Sequence, residues 1–359
     1  MKYLRVFLLA LALPLLLLAA FNAAIDPYGV LGAPVRPGIN DVKYLGNDRL
    51  VKPLQILRLR PEVVYFGTSR VMIGLDPADI PERRIFNFGI PALTIAELDV
   101  YARHVLAATP AKLLVIGLDY VSFDDTAPAR PGFDPDLSGP LALWKALPRL
   151  LLSAETTLKS RSVLRNSRKG EVQSYHPDGF VEANGIGADA VSARYYAQVV
   201  AHKGPAQQSL ARLDALLGEA GRRGIEVVAF LPPLHASLLE ALRLQGEAAT
   251  HEAWLRRLVA LCEIRGVPLW DFAGYNRETT IAMGLSGRTF INGGHPSPRL
   301  GRLIQHSLLR GQSVPGFGER LTSLGLDDYL TRQKAARDLW VKAQPADFDT
   351  VRRTMQISP

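Results

Sequence analysis

The fold class the sequence predicts is α/β: a mostly parallel, five-stranded sheet covered by helices on both faces. Three observations point to it. Short, unbroken apolar runs recur at 62–67, 85–89, 112–118, 225–231 and 267–271, the pattern of strands buried on both sides rather than one. Helical spacing of apolar residues fills about 94–108, 206–223, 235–265 and 298–310. Strand and helix alternate along the chain, and parallel neighbours joined by crossover helices produce that rhythm.

The amino-terminal element is of another kind. Lys2 and Arg5 precede a run, Val6 to Ile25, with no charged side chain. Twenty helical residues rise about 30 Å, the thickness of a bilayer's hydrocarbon, so residues 1–26 read as a transmembrane anchor. Cations before the run and Asp26 behind it leave the amino terminus in the cytoplasm and the globular part in the periplasm or exterior. A cleaved signal peptide is the alternative, although Phe21-Asn22-Ala23-Ala24 offers no clean small-x-small site. Residues 27–61 are rich in Gly and Pro with little periodicity, which reads as a linker along the surface.

An α/β domain is expected over 62–311. Residues 120–200 interrupt its rhythm with Pro128, Pro131, Pro135 and Pro140, a basic stretch from Lys159 to Lys169, and the polar segment Tyr175 to Asp189. An irregular insertion beyond a strand's carboxyl end serves as a lid or specificity element, or is a plain solvated excursion. The tail, 312–359, has mixed charge and scattered apolar residues such as Leu324, Tyr329 and Trp340, fitting packed surface helices.

Composition narrows the function classes. With Cys262 as the only cysteine among 359 residues, an internal disulfide framework and a multi-thiolate zinc site are excluded. His176 and His202 lack metal-ligand spacing, and no cofactor is called for. A net charge of +8 suits work beside anionic lipid or an acidic polymer. Nucleic acid is a poor partner, because no basic run with interleaved aromatics occurs.

Four segments fall at predicted strand ends or just after the sheet: Gly67-Thr68-Ser69-Arg70, Asn87-Phe88-Gly89-Ile90, Gly117-Leu118-Asp119-Tyr120, and Asn292-Gly293-Gly294-His295-Pro296-Ser297-Pro298. Ligands of open α/β sheets bind beyond the carboxyl ends of strands. Ser69 therefore stands at the mouth of a site, or caps the next helix. A serine hydroxyl becomes a nucleophile when a neighbouring imidazole takes its proton, and His295 is the candidate base.

The order of these segments resembles the SGNH, or GDSL-like, hydrolase superfamily over roughly 61–119 and 225–310. The anchor, the Asp26-Pro27-Tyr28-Gly29 exit, the Gly-Thr-Ser-Arg turn and the Leu231-Pro232-Pro233 strand end look most like its membrane-anchored exported branch, relatives of alginate O-acetyltransferases and of the teichoic-acid D-alanylation esterase. The resemblance implies a three-layer flavodoxin-like fold, with Ser69 as nucleophile, the amides of Ser69 and Gly89 as oxyanion-hole donors, and His295 as base. Two departures stand out. Asn292 occupies the position three residues before the histidine where the superfamily has Asp, and Asp119 replaces a donating Asn. Asn can orient an imidazole but cannot offset its charge. Asp271 is the other candidate carboxylate, or a turn cap. Arg70, Asp119 and His235 are candidate substrate contacts; Arg70 and Asp119 also read as a mutual pair.

The expected function is an exported serine-dependent acyl esterase or O-acyltransferase acting on an envelope polysaccharide, a similar O-acylated polymer or an acylated small molecule. By analogy with the family, the acyl donor comes from a multi-pass membrane acyltransferase. The departures at Asn292 and Asp119 also admit a catalytically silent glycan-binding or scaffold protein of an envelope complex. A lipid or thioester hydrolase at the membrane surface is the third reading.

Overall fold

Five parallel strands and one antiparallel edge strand form the sheet of a computed structural model that describes residues 2–44, 46–128, 130–139, 141–171, 175–182, 206–283, 289–291, 294–312 and 314–357. The parallel strands are β1 (Val63–Gly67), β2 (Ile85–Gly89), β3 (Leu113–Gly117), β4 (Glu226–Leu231) and β5 (Leu269–Asp271). Each lies within a residue or two of its apolar run. Their spatial order is β2-β1-β3-β4-β5, the doubly wound order whose direction reverses between β1 and β3. A sixth strand, β6 (Glu319–Leu321), pairs antiparallel with β5, so the expected five-stranded sheet becomes six. Three residues, two of them charged and exposed, carry no apolar run; an edge strand of this kind leaves no pattern in the sequence.

Helices cover both faces. On one, α2 (Asp48–Leu59), α4 (Ile95–Ala108), α7 (Gln207–Arg222), α8 (Ala236–Leu244) and α9 (Ala248–Ile264) contribute to a core that takes Val64, Phe66, Phe86, Phe88, Leu114 and Ile116 from the strands. On the other, α3 (Ser69–Gly74) and α10 (Pro298–Arg310) pack on Val63, Tyr65, Leu113 and Val115. Successive strand residues thus enter opposite cores, as period-two geometry requires. The single helix read over 235–265 is two, broken at Gln245-Gly246-Glu247, where Gly246 has φ +82°.

Residues 27–61 are not a simple surface linker. Tyr28, Val30, Leu50, Val51 and Leu54 form a buried cluster with Ala142, Ala146 and Leu150. Asp26 seeds this arrangement, its carboxylate accepting from the amides of Val30, Leu31, Gly32 and Ala33. Within α2, fully buried Lys52 donates to the carbonyls of Asn87, Gly89 and Gly179 at 2.7–2.9 Å. It joins the segment before the sheet, the end of β2 and the inserted region.

Of the insertion, α5 (Ala142–Leu152) and α6 (Ala154–Lys169) form a helical hairpin against the end of α1 (Lys2–Ile25); residues 183–200 and His202 lie outside the described residues. The tail supplies β6 and two helices, α11 (Leu326–Ala343) and α12 (Pro345–Ile357). Among the described residues no helix is long and apolar enough to cross a membrane.

Candidate active site

Ser69 and His295, 226 positions apart, meet: Ser69 Oγ lies 2.8 Å from His295 Nε2. Local sequence explains how. Gly67 ends β1 at φ +155°, and a Cβ there would sit 2.3 Å from Val71 Cγ2; only glycine permits the chain to turn this sharply from strand into helix. Thr68 then caps α3, its Oγ1 accepting from the Arg70 amide at 3.3 Å, and Ser69 becomes the first helical residue. The amides of Val71 and Met72 bond the Thr68 carbonyl. That leaves the Ser69 amide as the first-turn donor with no partner among the described residues, as expected for the opening of a helix.

His295 arrives on a turn built from the other side. Its carbonyl accepts from the Ile291 amide at 2.8 Å, and the Ser297 amide donates to Thr289 O at 2.8 Å. Ser297 caps α10 and Pro298 fills the first helical position, where a missing N–H costs nothing. The two halves close because α10 crosses α3 backbone to backbone. A Cβ on Gly301 would fall 1.5 Å from the Gly74 carbonyl oxygen. Arg70 adds a clamp, its Nε donating to Gly294 O at 2.8 Å.

Around this pair lies a buried charge network. Asp119 accepts from Thr68 Oγ1 at 2.6 Å and from the Arg70 guanidinium. Both carboxylate oxygens are therefore engaged, and Arg70 is held by Asp119 and the histidine turn. Arg70 and Asp119 also line a cavity of about 250 Å³, walled by apolar residues such as Leu118, Leu231, Leu242 and Leu255.

Burial, and then the Arg70 charge, push the His295 imidazole down to about 4. The ring is accordingly neutral near pH 7. When its proton is on Nδ1, Nε2 accepts from the Ser69 hydroxyl, which is the arrangement of a general base poised on a nucleophile. The same surroundings disfavour the imidazolium that proton transfer creates. Asn292, the residue expected to orient the ring, lies outside the described residues.

Three expected roles are corrected. Gly89 is not an oxyanion donor: its amide donates to Asn87 Oδ1 at 2.9 Å, and a Cβ there would meet the Met72 backbone nitrogen at 2.4 Å. This glycine gives α3 room against β2, not a ligand room against β2. Asp271 does not serve His295 among the described residues; its oxygens accept from the Tyr329 hydroxyl and the Ala273 amide, fastening the tail helix to the end of β5. His235 is buried. Its Nδ1 accepts from the Ser237 amide at 3.2 Å, capping α8, and its Nε2 lies 2.7 Å from Ile281 O. Capping by histidine leaves no recognisable sequence signal.

Sequence reasoning had missed the positioning role of the Gly74–Gly301 contact. A Gly in the first turn after His-Pro-Ser-Pro was the available hint. Among the described residues no group of three or more His, Cys, Asp or Glu gathers as a metal site. His176 pairs with Glu182 at 3.0 Å, and Cys262 is buried, its thiol pushed up to about 12 by desolvation.

No family model matches the chain, and no curated protein matches it. Among solved structures, the chain is similar to a Bacteroides fragilis protein provisionally described as an acylhydrolase, at 15% identity and a TM-score of 0.34. The match covers 69% of this chain and 86% of that one. A likeness this distant adds nothing to the reading of the site.

Proposed function

We propose that this protein is a serine-dependent acyl esterase or O-acyltransferase of the SGNH-like type, held at the cytoplasmic membrane by α1 with its α/β domain outside. The observation that carries the reading is the 2.8 Å contact between Ser69 Oγ and a neutral, half-buried His295. Ser69 attacks an acyl carbonyl while His295 accepts its proton. The Ser69 amide at the head of α3 donates to the developing oxyanion. His295 then returns the proton to the leaving alcohol, leaving acyl-Ser69, and a water or sugar hydroxyl activated by the same imidazole releases the acyl group.

The substrate that fits an anchored, basic, exported domain is an O-acylated envelope polysaccharide or similar polymer, with a multi-pass membrane acyltransferase as acyl source in the transferase version. Exposed apolar side chains from Tyr3 to Leu17 on α1 support the anchor. A second reading, a silent glycan-binding or scaffold protein, draws on one observation: Arg70 beside His295 opposes the imidazolium on which turnover depends. The two separate on a chromogenic acetyl ester and a serine-reactive fluorophosphonate, comparing wild type with Ser69→Ala of equal melting temperature. An enzyme loses hydrolysis and labelling together in the variant. Equal slow hydrolysis and no label on Ser69 in the wild type favour the silent protein.

A further inference from the structure

The carboxyl-terminal quarter of α1 is embedded in the domain while the rest stands clear of it. Described large apolar residues from Tyr3 to Leu17 are exposed, whereas Asn22 and Ile25 are buried. Asn22, a polar residue in an apolar helix, is the fastening. Its Nδ2 donates to Leu151 O at 2.9 Å and Thr157 Oγ1 at 3.0 Å, and its Oδ1 accepts from Ser160 Oγ at 2.8 Å. It thereby pins α1 to the junction of α5 and α6.

This arrangement sets a depth. At about 1.5 Å per residue, the free segment 6–17 rises only about 18 Å, short of the roughly 30 Å of hydrocarbon. Residues 18–25 complete the span, and those are the residues packed on the hairpin. The hairpin must then lie at the level where hydrocarbon gives way to headgroups.

Its surface has the character such a level demands. Leu152 and Leu158 are 43% and 62% exposed. Leu158 sits beside Thr157, at the height of Asn22. Farther along α6, a shallow groove is lined by Arg161, Leu164, Arg165, Arg168 and Lys169, and among the described residues those three arginines make no ion pair. The cationic end points away from the free part of α1. Ser167 Oγ accepts from the Val42 amide at 3.1 Å, and Asn40 Nδ2, two residues from Val42, reaches the Ala24 carbonyl at 3.3 Å. Apolar side chains nearest the bilayer, with arginines one to three turns higher, are the order found on interfacial helices.

We propose that the turn end of the α5–α6 hairpin lies in the interface of an anionic bilayer, Leu152 and Leu158 at the acyl boundary and the arginine groove on lipid phosphates. The inference rests on the reading of α1 as the membrane anchor. Clamped both by Asn22 and by lipid contact, the domain is held at a fixed orientation instead of swinging on a tether.

The test uses the full chain, purified in detergent and reconstituted into vesicles of phosphatidylcholine with or without phosphatidylglycerol. An environment-sensitive fluorophore is attached at Leu158→Cys or, as a control, at Leu324→Cys, a site 96% exposed. The label at 158 loses most of its emission to brominated lipid, the one at 324 keeps it, and the quenching deepens with phosphatidylglycerol. Arg165→Glu with Arg168→Glu removes that lipid dependence. Equal behaviour of the two labels in vesicles that carry the protein overturns the proposal and leaves the anchor standing. Failure of the chain to float with vesicles overturns both. Shielding of position 158 already in lipid-free detergent assigns the face to a protein partner, against the proposal, and quenching indifferent to phosphatidylglycerol removes the anionic lipid from it.

Discussion

Acid should disarm this site only well below the pH at which histidines usually protonate. His295 is pushed down to about 4 by burial and, second, by Arg70. An imidazole at an ordinary 6.5 is neutral in about 3% of molecules at pH 5, whereas one at about 4 is neutral in about 90%. The fraction of the imidazole able to accept the Ser69 proton at pH 5 is therefore roughly thirtyfold higher than for an unperturbed histidine, so labelling persists to lower pH. The assay is the second-order labelling rate with a fluorophosphonate, followed from neutral pH down to about pH 3.5. The same shift has a stability consequence of definite sign. Because the unfolded chain protonates this residue near 6.5 and the folded chain only near 4, its contribution is full above about 6.5 and is lost as pH falls toward about 4. An acidic limb between about pH 6 and 7 would refute the reasoning, since it would mean that the ring is neither buried nor opposed by Arg70 as described.

Other perturbations follow from the packing. Gly301→Ala drives a methyl into the Gly74 carbonyl, 1.5 Å away, and separates the two halves of the site. Labelling of Ser69 should fall about a hundredfold in whatever fraction remains folded by circular dichroism. Gly89→Ala collides with the Met72 backbone and should cost about 3 kcal/mol in chemical denaturation; a variant as stable as the wild type would contradict the packing role of this glycine. Lys52→Met strands the carbonyls of Asn87, Gly89 and Gly179 and should cost about 3 kcal/mol or more by the same measurement. Asp271→Asn should change Ser69 labelling by less than about tenfold, because its carboxylate serves Tyr329 and Ala273 rather than the base; losses near those of removing a triad member would reverse that assignment.

The sheet was legible because burial on both faces leaves a continuous apolar signature, and strands such as 85–89 coincide with their runs. The approach of Ser69 to His295 was legible for a topological reason: both segments follow elements whose ends converge at one edge of a parallel sheet. What escaped depended on tertiary partners. Nothing in Glu319-Arg320-Leu321 announces a strand, since its ladder is supplied by β5. The glycine of Asn87-Phe88-Gly89 reads identically whether a ligand or a helix approaches it, and here the helix does. His235 reads as a substrate contact because a lone histidine after Pro-Pro says nothing about the Ile281 carbonyl it meets in the interior. The linker reading of 27–61 failed where Asp26 and Lys52 gather distant amides and carbonyls, bonds with no periodicity to betray them.

The central claim is that Ser69, activated by His295, accepts an acyl group. Peptide mass spectrometry after brief exposure of the full chain to an activated acyl ester at low pH, where deacylation slows, tests it most directly. The account predicts a single acyl adduct on the peptide carrying Ser69, absent from Ser69→Ala and sharply reduced in His295→Ala. Acyl groups scattered over surface lysines, or turnover undiminished in Ser69→Ala, would contradict it.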